Sequence, residues 1–166
     1  MNIYLKNASE NDAEIISNLA NIIWHGHYTP IIGVQQVNYM LEKMYSINTL
    51  KNNIKLGPQE FHLIFNNEIP VGFISFEKKS FNEGFLNKFY ILQNDQNKGI
   101  GQIAFDLLLK KYPEVKSIRL QVNRQNIKPI NFYFKVGFKI EKAADFDIGD
   151  GYFMNDFVMI YSKNIK

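Results

Sequence analysis

The sequence predicts an α/β fold, and three observations carry the prediction. Apolar residues recur at helical spacing in several segments, most cleanly at Ile100, Ile103, Ala104, Leu107 and Leu108, the single stripe of a helix lying on a core. After residue 58, short apolar runs bounded by Gly, Asn and Asp give the pattern of strands and turns. Between residues 85 and 122 the two patterns alternate as strand, glycine-lined turn, helix and strand. Such a βαβ unit should hold its two strands parallel, with a right-handed crossover.

Taken in order, residues 3–6 are expected to form a short strand, and Ser9 with Asp12 has the S-x-x-D form of a capping box. The helix that follows carries Ala13, Ile16, Leu19, Ala20 and Ile23 on one stripe and should end near residues 24–28, before Thr29-Pro30. A second helix is expected over 34–45, with Val37, Met40, Leu41 and Met44 inward. A third opens at Ser46, carries Ile47, Leu50 and Ile54, and stops at Gly57-Pro58. Strands are then expected at 60–65 and 71–77, joined by the hairpin chemistry of Asn66-Asn67-Glu68. Gly84 precedes a strand at 85–92, residues 93–98 make a polar turn, and a helix opens at Gly99 and ends at Lys110-Lys111-Tyr112-Pro113. A strand at 117–122, a helix at 128–136 with Pro129 in its first turn and Gly137 at its end, and strands at 138–146 and 152–161 complete the chain. No linker or internal repeat interrupts it, so residues 1–166 are expected to form a single domain.

A chain of 166 residues can bury about two-thirds of its unfolded surface. The net charge of +3 is mild and the lysines are scattered among acids, so no nucleic-acid partner is expected. No apolar run nears the ~18 residues of a membrane span, and the opening segment lacks a signal peptide's apolar core. No membrane partner is expected, and a cytoplasmic protein is. Cysteine is absent, which excludes disulfides, thiolate metal sites and a cysteine nucleophile. The histidines are His25, His27 and His62; the first two, at i, i+2, have no acidic cluster beside them, and no metal is expected.

The chemistry concentrates at residues 96–102. Gly99 and Gly101 let a ligand approach the backbone with no Cβ in the way, and the helix that starts there leaves its first N–H groups unpaired. With the roughly +0.5 charge of a helix start, they suit a phosphate. The alternative is a plain strand-to-helix turn. A P-loop would need Lys and Ser or Thr after the last glycine, where this chain has Gln102-Ile103. A dinucleotide fingerprint is formally met by Gly99, Gly101 and Ala104, but no acid stands at residues 118–123, where its ribose partner belongs.

The segment Gln96-Asn97-Lys98-Gly99-Ile100-Gly101 resembles the Q/R-x-x-G-x-G/A acyl-CoA loop of the GNAT superfamily of N-acetyltransferases. Downstream, the segment from Asn126 to Phe138 resembles that family's N-x-x-A-x-x-F-Y-x-x-x-G-F pattern. The resemblance covers the second half of the chain well and the first half in outline. It implies a mixed, mainly antiparallel sheet of about seven strands with helices on both faces. It also implies acetyl-CoA as cofactor, with its pyrophosphate on the N–H groups of Asn97, Lys98, Gly99, Ile100, Gly101 and Gln102. The pantetheine arm would pair with the backbone of Phe89, Tyr90 and Ile91. Lys98 and Lys135 are candidates to lie near phosphate oxygens, and Asn126 either holds the cofactor arm or caps the helix after it.

At the position of the family's acidic tyrosine stands Tyr133. A phenol of pKa about 10 is protonated at neutral pH and can donate to a departing thiolate whose own pKa is about 8.5. Its alternative is a half-buried tyrosine with a hydrogen-bonded hydroxyl. Direct transfer needs a neutral amine, and deprotonating an alkylamine of pKa near 10.4 at pH 7 costs about 4–5 kcal/mol. Many relatives carry a glutamate for this at the position of Asn87, which cannot act as a base. Glu77, Glu83 and His62, acting through water, are the candidates left. For the acceptor, the resemblance points to Trp24, His27 and Tyr28 on one side and the last hairpin on the other. There Asp145, Asp147, Asp150 and Asp156 either attract a polycation or serve as turn residues. The layout of this ending is similar to bacterial polyamine N-acetyltransferases.

A small-molecule amine, a polyamine among them, is therefore the expected acceptor. A peptide or protein N-terminus, an amino acid, an aminoglycoside, or no acceptor at all in an acyl-CoA-binding regulator are the alternatives. An exposed last strand is the candidate surface for a homodimer.

Overall fold

The structure, a computed structural model, describes residues 1–163. Its strands are β1 (Ile3–Asn7), β2 (Glu60–Asn66), β3 (Ile69–Lys78), β4 (Glu83–Ile91), β5 (Ser117–Asn123), β6 (Lys139–Gly149) and β7 (Tyr152–Ser162). Its helices are α1 (Ala13–His27), α2 (Thr29–Ile32), α3 (Val34–Tyr45), α4 (Ile47–Leu56), α5 (Ile100–Lys111) and α6 (Ile127–Val136). All seven strands form one sheet in the order β1-β2-β3-β4-β5-β7-β6. Every neighbouring pair is antiparallel except β4–β5, which is parallel, as the βαβ reading requires.

Side chains that alternate along the strands divide the interior into two cores. In β2, Phe61 and Leu63 face one side and Ile64 the other. The first core takes α1, α3 and α4, through Ile16, Leu19, Trp24, Val37, Met40 and Leu50. The second takes α5 and α6, through Ile100, Ala104, Phe105, Leu108 and Ile130. Helices therefore cover both faces, and β3, enclosed on both, is buried continuously from Val71 to Phe76. Burying a side chain the size of Leu or Phe contributes about 1.5–3 kcal/mol, so each core is held by its helical stripes rather than by helix propensity.

The capping residues act as their types predict. Asp12 Oδ1 accepts from Lys6 Nζ at 2.8 Å, and its Oδ2 accepts from Ser9 N at 2.8 Å. Ser46 caps α4 by accepting from Thr49 N at 3.3 Å. As expected, α1 ends before Thr29-Pro30; residues 29–32 then make a separate turn, α2, since proline in a first turn forfeits no helical hydrogen bond. Two expectations need correction. In α5 Phe105 joins Ile100, Ala104 and Leu108 in the core, while Ile103 and Leu107 are only half-buried, since the Phe105 ring reaches Phe138 and Tyr161 at 5.6 and 5.3 Å. The last strand is not an edge: β7 lies between β5 and β6, and β6 forms that border of the sheet.

Two irregularities in β4 open the sheet near its middle. Ser75 pairs with Lys88 and Phe76 with Leu86, so Asn87 is an extra residue in β4, a bulge. Beyond it, β4 separates from β5, and their pairing runs only from Glu83↔Ser117 to Leu86↔Leu120.

Candidate active site

Where β4 and β5 part, the sheet opens into a cavity of about 610 Å³. One rim is the turn between β4 and α5. Gln96 Nε2 donates to Ile91 O at 2.9 Å, which ties the turn back onto the strand end. Asn97 and Gly99 adopt left-handed backbone, with φ of 61° and 78°. That conformation is open to glycine without the steric cost a Cβ brings. A Cβ at Gly101 would lie 3.1 Å from the Phe132 ring, so only hydrogen there leaves the ring in place. Ile100 is 1% exposed and anchors the helix start in the core, while its neighbours Gly99, Gly101 and Gln102, whose first-turn N–H groups have no helical partner, line the cavity. Such a start to a 12-residue helix is suited to an anion.

The opposite end of the cavity is aromatic. Trp24 and Tyr28 stack at 4.4 Å, and Tyr90 stands 6.1 and 6.3 Å from them. Burial pushes the Tyr28 phenol well above its ordinary pKa, and Tyr90, Tyr133 and Asp156 push it further. Asn126 joins α1 to the entry of α6: its Oδ1 lies 2.6 Å from His27 Nε2 and its Nδ2 donates to the Tyr28 hydroxyl at 3.2 Å. Tyr133 lines the cavity between the two ends, and burial raises its pKa. It is therefore protonated at neutral pH and not a base.

A profile of the Acetyltransferase (GNAT) family matches residues 23–138. The chain belongs to this family. It is an N-acetyltransferase, and acetyl-CoA is the acyl donor of its class. It is similar to a spermidine N(1)-acetyltransferase of Thermoplasma acidophilum, with 27% identity over 154 residues covering 89% of this chain and 94% of that protein. The crystal structure of the PaiA N-acetyltransferase from Thermoplasma acidophilum in complex with coenzyme A matches with a TM-score of 0.77 at 25% identity, covering 98% of this chain and 99% of that one. A GCN5-related N-acetyltransferase structure from Rhodopseudomonas palustris matches in fold, with a TM-score of 0.79 at 15% identity over 98% of this chain and 96% of the other.

In this acetyltransferase the cavity gathers most of the residues the sequence singled out. Trp24, His27, Tyr28, Phe89, Tyr90, Ile91, Gln96, Asn97, Gly99, Gly101, Gln102, Asn126, Tyr133 and Lys135 all line it. Lys98 and Ile100 do not: Lys98 Nζ pairs with Asp95 at 3.3 Å, and Ile100 is buried in the core. Asn126 stands at the helix cap, but its side chain makes no capping bond, being engaged by His27 and Tyr28.

The three base candidates are corrected. His62 is wholly buried between Asn7 Oδ1 and the Tyr112 hydroxyl, and burial, aided by Lys111, lowers its pKa to about 4. Glu77 pairs with Lys79 and Glu83 with Arg119, and neither lines the cavity. The four aspartates of the last hairpin do not form one cluster either. Asp145 pairs with Arg124, Asp147 accepts from Gly149 N at 2.8 Å, and Asp150 is a turn residue at φ 55°. Asp156 alone reaches the cavity.

Sequence reasoning missed Lys128 and Asn131, which line the cavity with Lys135. The signal was present: positions 128, 131 and 135 are i, i+3 and i+7, one face of α6. Gln121, Asn123 and Met154 also line it and carried no such signal. Among the described residues no helix is long and apolar enough to cross a membrane.

Proposed function

We propose that this acetyltransferase passes acetyl directly from acetyl-CoA to a primary amine of a small molecule, with polyamines as the acceptor class. One observation carries the reading: a single cavity runs from the free N–H groups of α5, past Tyr133, to the aromatic end. Donor and acceptor can therefore meet in one ternary complex. No cysteine is present to take the acetyl group in between.

In this reading the main-chain N–H groups from Asn97 to Gln102 hold the pyrophosphate, with Lys135 near its oxygens. The pantetheine arm takes the place β5 vacates beside Phe89, Tyr90 and Ile91, because an amide-bearing chain can satisfy backbone groups left free there. Tyr133 protonates the departing thiolate. Trp24, His27 and Tyr28 wall the acceptor. The polyamine choice is supported by the similarity to a spermidine N(1)-acetyltransferase across 89% of the chain. Acetyl-CoA is an intracellular metabolite, which fits a cytoplasmic site of action.

Thiol release measured with spermidine, a monoamine, an aminoglycoside and a peptide N-terminus tests the acceptor class. The highest kcat/KM is expected for spermidine; a clear preference for the peptide or the aminoglycoside would replace this reading. In Tyr133→Phe, kcat should fall by about 10²–10³ with CoA affinity nearly unchanged. Turnover at the parent rate would remove Tyr133 as the acid.

A further inference from the structure

Asp156 is 3% exposed, lines the cavity, and its Oδ1 has no hydrogen-bond partner among the described residues. It stands in the middle of the sheet, opposite Asn123 of β5 and Ala144 of β6, so the backbone holds it rigidly. Proteins pair a buried carboxylate or put it to use, since desolvation without a partner is costly. The nearby cation does not pair with it: Arg124 is bound to Asp145 at the surface. His27 is engaged with Asn126; Asp145 adds a second negative charge, the Tyr28 phenol lies nearby, and Lys128 and Lys135 line the cavity from α6. Among the described residues no hydrogen bond reaches Asp156 Oδ1, which leaves it open to a cation that enters through the cavity.

We propose that Asp156 receives the ammonium group of the acceptor and takes its proton, so that the substrate is recognised as a cation and reacts as a free amine. This rests on the reading of the enzyme as a small-amine acetyltransferase, and it fills the role that Asn87 cannot. One N–H bond of the ammonium breaks and its proton moves to the Asp156 carboxylate. The freed lone pair forms a C–N bond at the thioester carbonyl, the C–S bond breaks, and the thiolate takes the Tyr133 proton. The second amine proton returns to the Tyr133 oxygen, and Asp156 releases its own to solvent, so one proton leaves per acetyl transferred. Burial raises the Asp156 carboxyl to about 6, with Arg124 opposing and Asp145 adding to the rise, which narrows the gap to the amine.

The test compares parent and Asp156→Asn with two acceptors at pH 7.5, spermidine and 2,2,2-trifluoroethylamine, which is already neutral there. For spermidine kcat/KM should fall by about 10²-fold or more, and for trifluoroethylamine by less than about fivefold, with the CoA Kd from calorimetry unchanged. Equal losses with both acceptors, or no loss with spermidine, would overturn the assignment while leaving the enzyme's function standing. A parent that releases no thiol with any amine would overturn both. If the variant does not fold, the parent decides. Its kcat/KM for spermidine should drop tenfold per pH unit below about pH 6, and the same limb should survive in His27→Gln. A flat profile, or a limb lost with His27, would refute the role.

Discussion

Lys88 lies on β4 opposite Ser75, only 6% exposed, with its ammonium 5.4 and 5.9 Å from the ring centres of Tyr45 and Phe61. The rings offset part of the lost hydration. Burial nevertheless lowers its pKa to about 8, against an ordinary value near 10.5. The unfolded chain therefore binds more protons between those pH values, and stability should rise as pH climbs through that window. At pH 7 the full penalty remains, so Lys88→Met is expected to be more stable than the parent by about 1–2 kcal/mol in urea unfolding. The difference should shrink toward pH 10; a variant less stable at pH 7 would mean that the cation–π contacts outweigh desolvation. In the sequence Lys88 looks like any surface lysine. The bulge at Asn87 puts Leu86 with the core under α5 and Tyr90 with the core under α1, although they are four residues apart on one strand. Simple alternation cannot show which core a β4 side chain enters.

At the scale of the element, the turn into α5 is where conformation and binding meet. Gly99 is left-handed, and a Cβ added there would touch nothing within 4 Å. Gly99→Ala therefore costs backbone strain alone, about 1 kcal/mol, and should lower the urea midpoint only slightly. Its effect on the cofactor should be larger in proportion, because the turn that aims the N–H groups must shift. A CoA Kd about tenfold weaker by calorimetry is expected, or about 1.4 kcal/mol. Unchanged affinity would separate this turn from the diphosphate. The turn was legible because glycine spacing is a backbone requirement written directly into the sequence. α6 was legible in its bounds, from Pro129 and Gly137, but only partly in its cavity face. A single motif position drew attention to Lys135, and the helical repeat that adds Lys128 and Asn131 went unread.

Across the whole molecule, the cavity takes walls from α1, β4, β5, α6 and β7, elements spread from residue 23 to residue 156. Its width depends on where β4 and β5 stop pairing, after Leu86 and Leu120. Filling that gap with CoA should slow amide hydrogen exchange at residues 87–91 and 97–102. No change is expected in β1 and β2, at the far border of the sheet. Protection spread evenly over the sheet would point to a general tightening in place of an inserted cofactor arm.

Local physics determined what the sequence could declare alone: helical stripes, turn glycines, caps, the parallel pair, and the glycine bend that suits a phosphate. Each of these depends on residues a few positions apart, or on a backbone angle that one residue type permits. The fate of the ionisable side chains was decided only in three dimensions. In sequence His62, Glu77 and Glu83 stood as the base candidates and Asp156 only as one of four hairpin aspartates, yet the first is sealed in the core, the next two pair at the surface, and Asp156 faces the cavity with its Oδ1 unpartnered among the described residues. Desolvation is set by everything packed around a group, and those neighbours come from segments that meet only when the sheet closes.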